Sequence, residues 1–187
     1  MSGSGTAAPA QAQALLAFWQ AAGPDRWFKK DPGFDEVFRT RFLADHEAAV
    51  RGELDAWTQT ADGALALLLL LDQFPRNAFR DSPRMFATDA AALAVAEKAL
   101  RETFDTAVHP GLRNFFYLPF MHSERLQDQE RAVDLTRTAG DAENLRFARM
   151  HRDIVARFGS FPHRNALLGR ATTAQEQQFL DEGGFAG

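Results

Sequence analysis

Two short segments of the chain carry polar side chains around a Phe-Pro pair. The first reads LDQFPRN, residues 71–77, and the second reads FPHRN, residues 161–165. In both, Phe can anchor a turn in the core and Pro can begin that turn. The polar residues Arg and Asn, and His in the second segment, are then available for binding or catalysis. Arg presents a planar fork that suits carboxylate or phosphate, and His exchanges protons near neutral pH. The pattern therefore predicts a polar site after two helix ends.

We expect both segments to line one pocket together with the HSE segment, residues 122–124, and with a histidine further along the chain. The candidate proton-transfer residues are His151, His163 and Glu124. The candidate residues for binding an anionic carboxylate or phosphate ligand are Asp72, Gln73, Arg76, Asn77, Arg80, His122, Ser123, Arg164 and Asn165.

Several of these residues also have a structural interpretation. Asp72 can pair with an Arg and hold two helix ends together, because a buried carboxylate without a partner is costly. His151 lies on an otherwise apolar helix face, where a His is more often a core residue with one satisfied hydrogen bond. Ser123 can cap the following helix, and Glu124 can favour its positive end. The residues themselves leave both interpretations open.

Common catalytic patterns are missing from the sequence. It contains no Gly-rich phosphate loop, no HExxH and no GxSxG, and its lack of Cys removes disulfides and thiolate chemistry. His122, His151 and His163 with Glu124 or Asp72 are acceptable ligand types for a divalent metal, but their spacing is not diagnostic. We therefore predict no metal site, identify no cofactor, and leave open whether the protein is an enzyme.

The composition limits the partners and the location. The net charge of −4 and the pI of about 5.7 give no electrostatic footprint for nucleic acid or an anionic membrane, although nine Arg residues lie between Arg125 and Arg170. The longest apolar run, residues 64–71, is far shorter than the ~20 residues that cross a bilayer. The first residues lack the basic and apolar regions of a signal peptide, so we expect a cytoplasmic protein. The oligomeric state stays open.

The periodicity of apolar residues is helical throughout, which predicts an all-α fold of about eight helices. Antiparallel helices with short loops indicate stacked helical hairpins, with residues 65–100 and 115–139 as two such pairs. We expect a flexible tail over residues 1–10, one domain over residues 11–182 and a frayed end over residues 183–187. The helix predicted over residues 142–158 has Asp141 as its cap, and Thr173 with Glu176 has the spacing of a capping box.

Three separated motifs and their order resemble a known family. LLDQFPRN, LPFMHSE and RFGSFPHRN, together with FW and RWF near the start, are similar to the bacterial family catalogued as domain of unknown function 924. The resemblance covers the chain from about Leu15 to Leu180 and implies a tetratricopeptide-like helical fold. It implies no reaction. Ser160 stands where the family pattern suggests a basic residue, which weakens the case for an anion pocket.

Two classes of function follow from the sequence. In the first, the protein binds, or also transforms, a small anionic carboxylate or phosphate ligand in a closed polar pocket. In the second, it is a tetratricopeptide-like interaction module that binds a peptide or protein partner, and its polar motifs are structural clasps. The direction in which the polar motif residues point distinguishes the two classes.

Overall fold

The computed structural model describes residues 8–186, and this part of the chain is helical and contains no β-strand. The predicted all-α fold is therefore confirmed. The predicted N-terminal tail falls mainly on residues 1–7, which lie outside the described residues, and the first helix begins at Ala10. Within residues 8–186, no helix has the length and apolar character that spanning a membrane requires.

The helices of the described chain vary widely in length. The α-helices are α1 (Ala10–Ala22), α2 (Pro24–Trp27), α3 (Pro32–Val50), α4 (Ala61–Leu68), α5 (Phe74–Ala78), α6 (Asp89–Arg101), α7 (Phe104–Ala107), α8 (Leu118–His122), α9 (Leu126–Ala139), α10 (Ala142–Phe158) and α11 (Ala174–Asp181). Short 3₁₀ helices lie at Asp55–Gln59, Pro83–Phe86, Pro110–Phe116 and Pro162–Arg164, and a π-helical turn lies at Leu69–Gln73.

The chain forms two compact units, each with its own core. Apart from Asp81–Pro83, which group with the second unit, the first unit runs up to Pro119 and the second begins at Phe120. The prediction of one domain over residues 11–182 stays a prediction.

The Leu-rich helix, which comprises α4 and the π-helical turn that follows it, is the centre of the first unit, as its all-round apolar character predicts. Every residue from Gly63 to Phe74 is buried, and α4 packs against α1 and α6. Aromatic rings on α1 and α3 extend this core, with Trp19 and Phe38 fully buried and 5.3 Å apart between ring centroids. This rigid frame fixes the position of the first Phe-Pro segment.

Pro75 breaks the Leu-rich helix in an unexpected way. The backbone widens into the π-helical turn, in which the N–H of Phe74 donates to the carbonyl of Leu69, and α5 then continues the path to Ala78. Because proline has no N–H for a continuing α-helix, a kink or an end is expected at Pro75, and it takes the form of a π turn. This turn frees backbone carbonyls, which need other donors.

The second unit is built on the α9–α10 hairpin. α9 ends at Gly140, which has a φ of +74°, and Asp141 caps α10 by accepting the N–H of Asn144 at 2.9 Å. α10 begins and ends where the sequence predicts. The predicted capping box of α11 is also present, since Thr173 and Glu176 bond each other's backbone N–H.

Candidate functional site

The first Phe-Pro segment is held by side chains that replace a missing donor. Pro75 has no N–H for the carbonyls of Leu70 and Leu71, which it would bond in a π- or an α-helix. His46 Nδ1 lies 2.9 Å from the Leu70 carbonyl, and the hydroxyl of Thr88 donates to the Leu71 carbonyl. Because a carbonyl only accepts, Nδ1 of His46 carries the proton.

His46 is a structural residue that sequence reasoning missed. It is buried, and its ring stacks on Phe74 with centroids 4.8 Å apart. Burial lowers the pKa of His46, against the partly compensating hydrogen bond to Leu70. The sequence shows that Pro75 lacks an N–H and that a carbonyl before it therefore needs another donor. It does not show which distant side chain supplies that donor.

Arg76 joins the π turn to α6. Its Nη1 donates to the Asp72 carbonyl at 2.8 Å and lies 3.3 Å from the Asp72 carboxylate, while both terminal nitrogens bond Asp89 at 2.8 and 3.1 Å. The side-chain amide of Gln73 donates to the same Asp72 carboxylate. The structural interpretation of Asp72 as the partner of an Arg therefore describes what the structure contains.

Asn77 and Arg80 share one carboxylate on α3. Asn77 donates to Asp35 at 2.7 Å, and Arg80 bonds both Asp35 oxygens, at 2.5 and 3.2 Å. Asp35 is buried and lies more than 40 residues earlier in the chain, so sequence spacing could not identify it. The predicted ligand-binding residues of the first unit thus bind groups of the protein itself.

In the second unit, the HSE and FPHRN segments come together through Glu124. Its carboxylate accepts the N–H of Phe161 at 2.8 Å and is held by two nitrogens of Arg170 at 2.7 and 2.9 Å. Burial opposes the ionisation of Glu124, but the hydrogen bonds from Arg170 and Phe161 outweigh it and lower its pKa. Glu124 therefore connects the segment before α9 to the FPHRN segment, and its expected effect on the start of α9 stays a prediction.

The remaining residues of these two segments also make internal contacts. Arg164 donates to the His122 carbonyl at 3.0 Å, with its guanidinium 4.6 Å from the Phe161 ring centroid. Ser123 donates to Asp128 in the first turn of α9 at 2.6 Å and accepts the N–H of Arg125. Asn165 is buried, and the backbone of Thr173 together with Asn165 lowers the pKa of Glu176. Both Phe-Pro segments thus use a buried Phe as an anchor and an Arg to hold a backbone carbonyl.

The three predicted proton-transfer residues meet around one buried ring. Phe161 packs edge-on against His151, with centroids 5.5 Å apart, and lies 5.7 Å from the ring of His163, while its N–H bonds Glu124. His151 Nδ1 lies 2.8 Å from the Phe147 carbonyl, so this nitrogen carries a proton and cannot coordinate a metal ion. Phe185 covers the other side of both imidazoles, at 4.6 and 5.2 Å.

No metal-binding arrangement occurs in the described chain. Within residues 8–186, no group of three or more His, Cys, Asp or Glu side chains could hold a metal ion. His151 and His163 both contact phenylalanine rings, and they do not share a carboxylate.

A groove of about 750 Å³ runs along α10 beside these rings. Its walls are formed by one stripe of α10, by Phe179 and by a turn after α11; the α10 residues are Ala142, Leu145, Arg146, Arg149, Met150, Asp153, Ile154, Arg157 and Phe158. This stripe spans the helix from its first turn to its last, a distance of about 25 Å. Sequence reasoning missed the groove because it assigned the apolar face of α10 to the core. The arginines of the stripe were noticed only as part of an excess of Arg in this region of the chain.

The groove combines apolar walls with a basic rim. Arg157 lies over Phe158 and Arg146 over Phe147, at 4.6 and 4.9 Å. Asp153 is neutralised by its neighbour Arg152 at 2.6 Å. Among residues 8–186, the three rim arginines Arg146, Arg149 and Arg157 have no ion pair. The rim is therefore positive, in a protein with a net charge of −4.

Comparison with known proteins identifies relatives without a known activity. A family model described as bacterial protein of unknown function (DUF924) matches residues 15–184. A solved structure of a protein of unknown function from Agrobacterium tumefaciens is 52% identical, has a TM-score of 0.90, and is similar over 92% of this chain and 97% of its own. No curated protein matches the sequence significantly.

Proposed function

This chain belongs to the DUF924 family of bacterial proteins of unknown function, and we propose that it is a protein-interaction module whose α10 groove binds an acidic amphipathic helix of a partner protein. The observation that carries the proposal is the α10 stripe, which has apolar side chains from its first turn to its last and three arginines without carboxylate partners at its rim.

The polar motif residues support the role of structural clasps. Arg76, Arg80 and Arg164, which the sequence suggested as anion-binding residues, donate to carboxylates or carbonyls of their own unit. A ligand at these positions would have to displace short, partly buried, charge-assisted hydrogen bonds, which is costly. This favours the interaction class over a closed polar pocket lined by the motifs. The tetratricopeptide-like stacking of the helices stays a prediction.

The shape of the groove fits a helix. Its length of about 25 Å corresponds to about 16 residues of α-helix. An amphipathic helix in such a groove places its apolar residues at positions i, i+3, i+4 and i+7 against the apolar wall. Its acidic residues would then lie opposite Arg146, Arg149 and Arg157, where charge complementarity steers association and fixes the orientation.

A small anionic ligand is the second candidate for the occupant of the α10 groove, and the observation that supports this candidate is the volume of the groove. A volume of about 750 Å³ is within the range of small-molecule sites, and the rim arginines suit a carboxylate or phosphate head group on an apolar body. Under this alternative the ligand occupies the α10 groove and not the space between the polar motifs.

Peptide titration tests the proposal. A fluorescent peptide of about 16 residues, with Leu on one helical face and Glu flanking it, is titrated with the protein, and the same peptide with Gln in place of Glu is the neutral comparison. We expect saturable binding of the acidic peptide and binding at least about tenfold weaker for the neutral one, which corresponds to about 1.4 kcal/mol.

Matched variants locate the binding surface. We expect Arg149→Ala to weaken binding of the acidic peptide about tenfold, whereas Arg137→Ala, an exposed arginine of α9 that pairs with Asp134, should leave it unchanged. Equal binding of both peptides, or equal loss in both variants, would contradict the proposal. Binding of dodecanoate or dodecyl phosphate without peptide binding would instead establish the second candidate.

A further inference from the structure

A sharp turn after α11 carries an aromatic residue back onto the groove. The N–H of Gly183 donates to the Leu180 carbonyl at 3.1 Å, and the N–H of Gly184 donates to the Phe179 carbonyl at 2.9 Å, which is the Schellman arrangement. Gly183 has a φ of +82°. A Cβ on Gly184 would lie 2.5 Å from the Phe179 carbonyl oxygen, so this position admits only glycine without movement.

The turn delivers Phe185 to the edge of two imidazole rings. Phe185 packs at 4.6 Å from His151 and at 5.2 Å from His163 between ring centroids, both edge-on. With Phe161 behind them, the two histidines form an aromatic niche that Phe185 fills. The residues that the sequence suggested as acid–base groups are thus the walls of a site for an aromatic side chain.

Phe185 belongs to the groove as well as to the niche. It lines the α10 groove together with Gly183 and Gly184, and it is only partly buried against the core of Ile154, Val155 and Phe161. Among residues 8–186, Gly184 is the last whose backbone N–H is hydrogen-bonded, so Phe185 is held by side-chain contacts alone. Such a contact can open without breaking a helix.

We propose that Phe185 occupies, within its own chain, the anchor site for an aromatic side chain of the partner helix, and that it leaves the niche when the partner binds. This inference rests on the proposed function and defines the partner further as an acidic amphipathic helix with an aromatic anchor. An aromatic anchor fits because Phe, Tyr and Trp make the edge-to-face contacts that Phe185 makes with the two imidazoles.

Self-occupancy has a measurable consequence. A site that is open only part of the time binds with an apparent Kd raised by the inverse of the open fraction. Removing the Phe185 ring therefore strengthens binding of a partner with an aromatic anchor, although it removes an apolar residue from the groove wall. A residue that merely formed the wall would show the opposite effect.

The test compares acidic peptides that differ only at the anchor position, with Phe, Leu or Ala there, against wild-type protein and Phe185→Ala. We expect Phe185→Ala to bind the Phe peptide at least about tenfold tighter than the wild type, and the gain to be small for the Ala peptide. Leu168→Ala, which removes an exposed apolar side chain outside the groove, serves as the control and should change nothing.

A second readout is the proton NMR spectrum of the wild-type protein, in which the Phe185 side chain is intact. The imidazole proton signals of His151 and His163 experience the ring current of Phe185. Binding of the peptide with Leu at the anchor position should move them towards their positions in Phe185→Leu, since an aliphatic side chain then replaces the ring, whereas the Phe peptide puts a ring back in the niche and should move them less. Unchanged or weaker binding by Phe185→Ala, while the wild type binds, would overturn the role of Phe185 alone. Absence of acidic peptide binding in both proteins would overturn the proposed function as well.

Discussion

At the residue scale, His46 shows how one side chain supports a whole segment. It supplies the donor that Pro75 cannot provide to the Leu70 carbonyl, and its ring covers Phe74. The position needs both a buried aromatic ring and an N–H at one edge. Phe satisfies only the first need and Gln only the second, which makes His the fitting residue.

We expect His46→Phe to destabilise the protein by about 2 kcal/mol, because it leaves a buried carbonyl without a donor. His46→Gln should recover part of this loss by restoring an N–H. Urea denaturation gives the free energy of unfolding of each variant. Equal stability of wild type and His46→Phe would contradict the capping role.

The lowered pKa of His46 predicts a pH dependence. The unfolded chain binds a proton at this residue near pH 6.5, whereas the folded protein binds it only at lower pH. The contribution of neutral His46 to stability is therefore complete above about pH 6.5 and is lost as the pH falls through the lower folded pKa. The unfolding free energy of the wild type should fall more steeply between pH 7.5 and 5 than that of His46→Gln, and parallel curves would contradict this.

The contribution of Glu124 to stability should also be lost on acidification, but at a lower pH than that of His46. Its pKa in the folded protein is lowered, so its contribution to stability is present above about pH 4.5 and is lost as the pH falls through the folded pKa. We expect Glu124→Gln to cost about 1–2 kcal/mol at pH 7, since the pair with Arg170 is partly exposed to solvent. The difference from wild type should shrink in acid, as measured by denaturation at each pH, and a constant difference would contradict it.

At the element scale, the predictions succeeded where the signal is local. The start and end of α10, the cap at Asp141 and the capping box of α11 all depend on residues within four positions of each other. The π turn and the partners Asp35, Asp89 and Arg170 depend on contacts between residues 13 to 46 positions apart. Sequence spacing contains no such information, so the sequence left open whether these residues line a pocket or serve as structural clasps.

The turn after α11 allows a prediction at the same scale. Gly184→Ala forces its Cβ against Phe179, and we expect the segment to relieve this clash by releasing Phe185 from the niche. The His151 and His163 signals should then move towards their positions in Phe185→Ala. Gly140→Ala is the control, because its Cβ meets open space and only the left-handed backbone is strained. Unchanged histidine signals in Gly184→Ala would contradict the prediction.

At the scale of the whole molecule, the all-α class and the family could be predicted from the sequence, but the groove could not. A net charge of −4 conceals a positive rim, because the rim arginines recur on one face of α10 and only the folded helix brings them together. The histidines were recognisable as unusual residues. Their role as walls of an aromatic niche depends on Phe185, which lies in the segment that was expected to be frayed.

Salt should weaken partner binding if the rim arginines contribute. Interactions between exposed charges are screened over about 8 Å at physiological ionic strength and over about 3 Å at 1 M. We expect the Kd of the acidic peptide to rise between 0.05 and 1 M salt, and that of the neutral peptide to change little. Peptide anisotropy measures both, and identical salt responses would contradict an electrostatic role.

The most direct test of the central claim is a charge reversal across the groove. Wild-type protein and Arg149→Glu are each titrated with the acidic peptide and with a matched peptide that carries Lys in place of Glu. The proposed interaction predicts that Arg149→Glu loses affinity for the acidic peptide and gains affinity for the Lys peptide relative to wild type. If Arg149→Glu changes the affinity for both peptides equally, or changes neither, the α10 groove is not the binding surface.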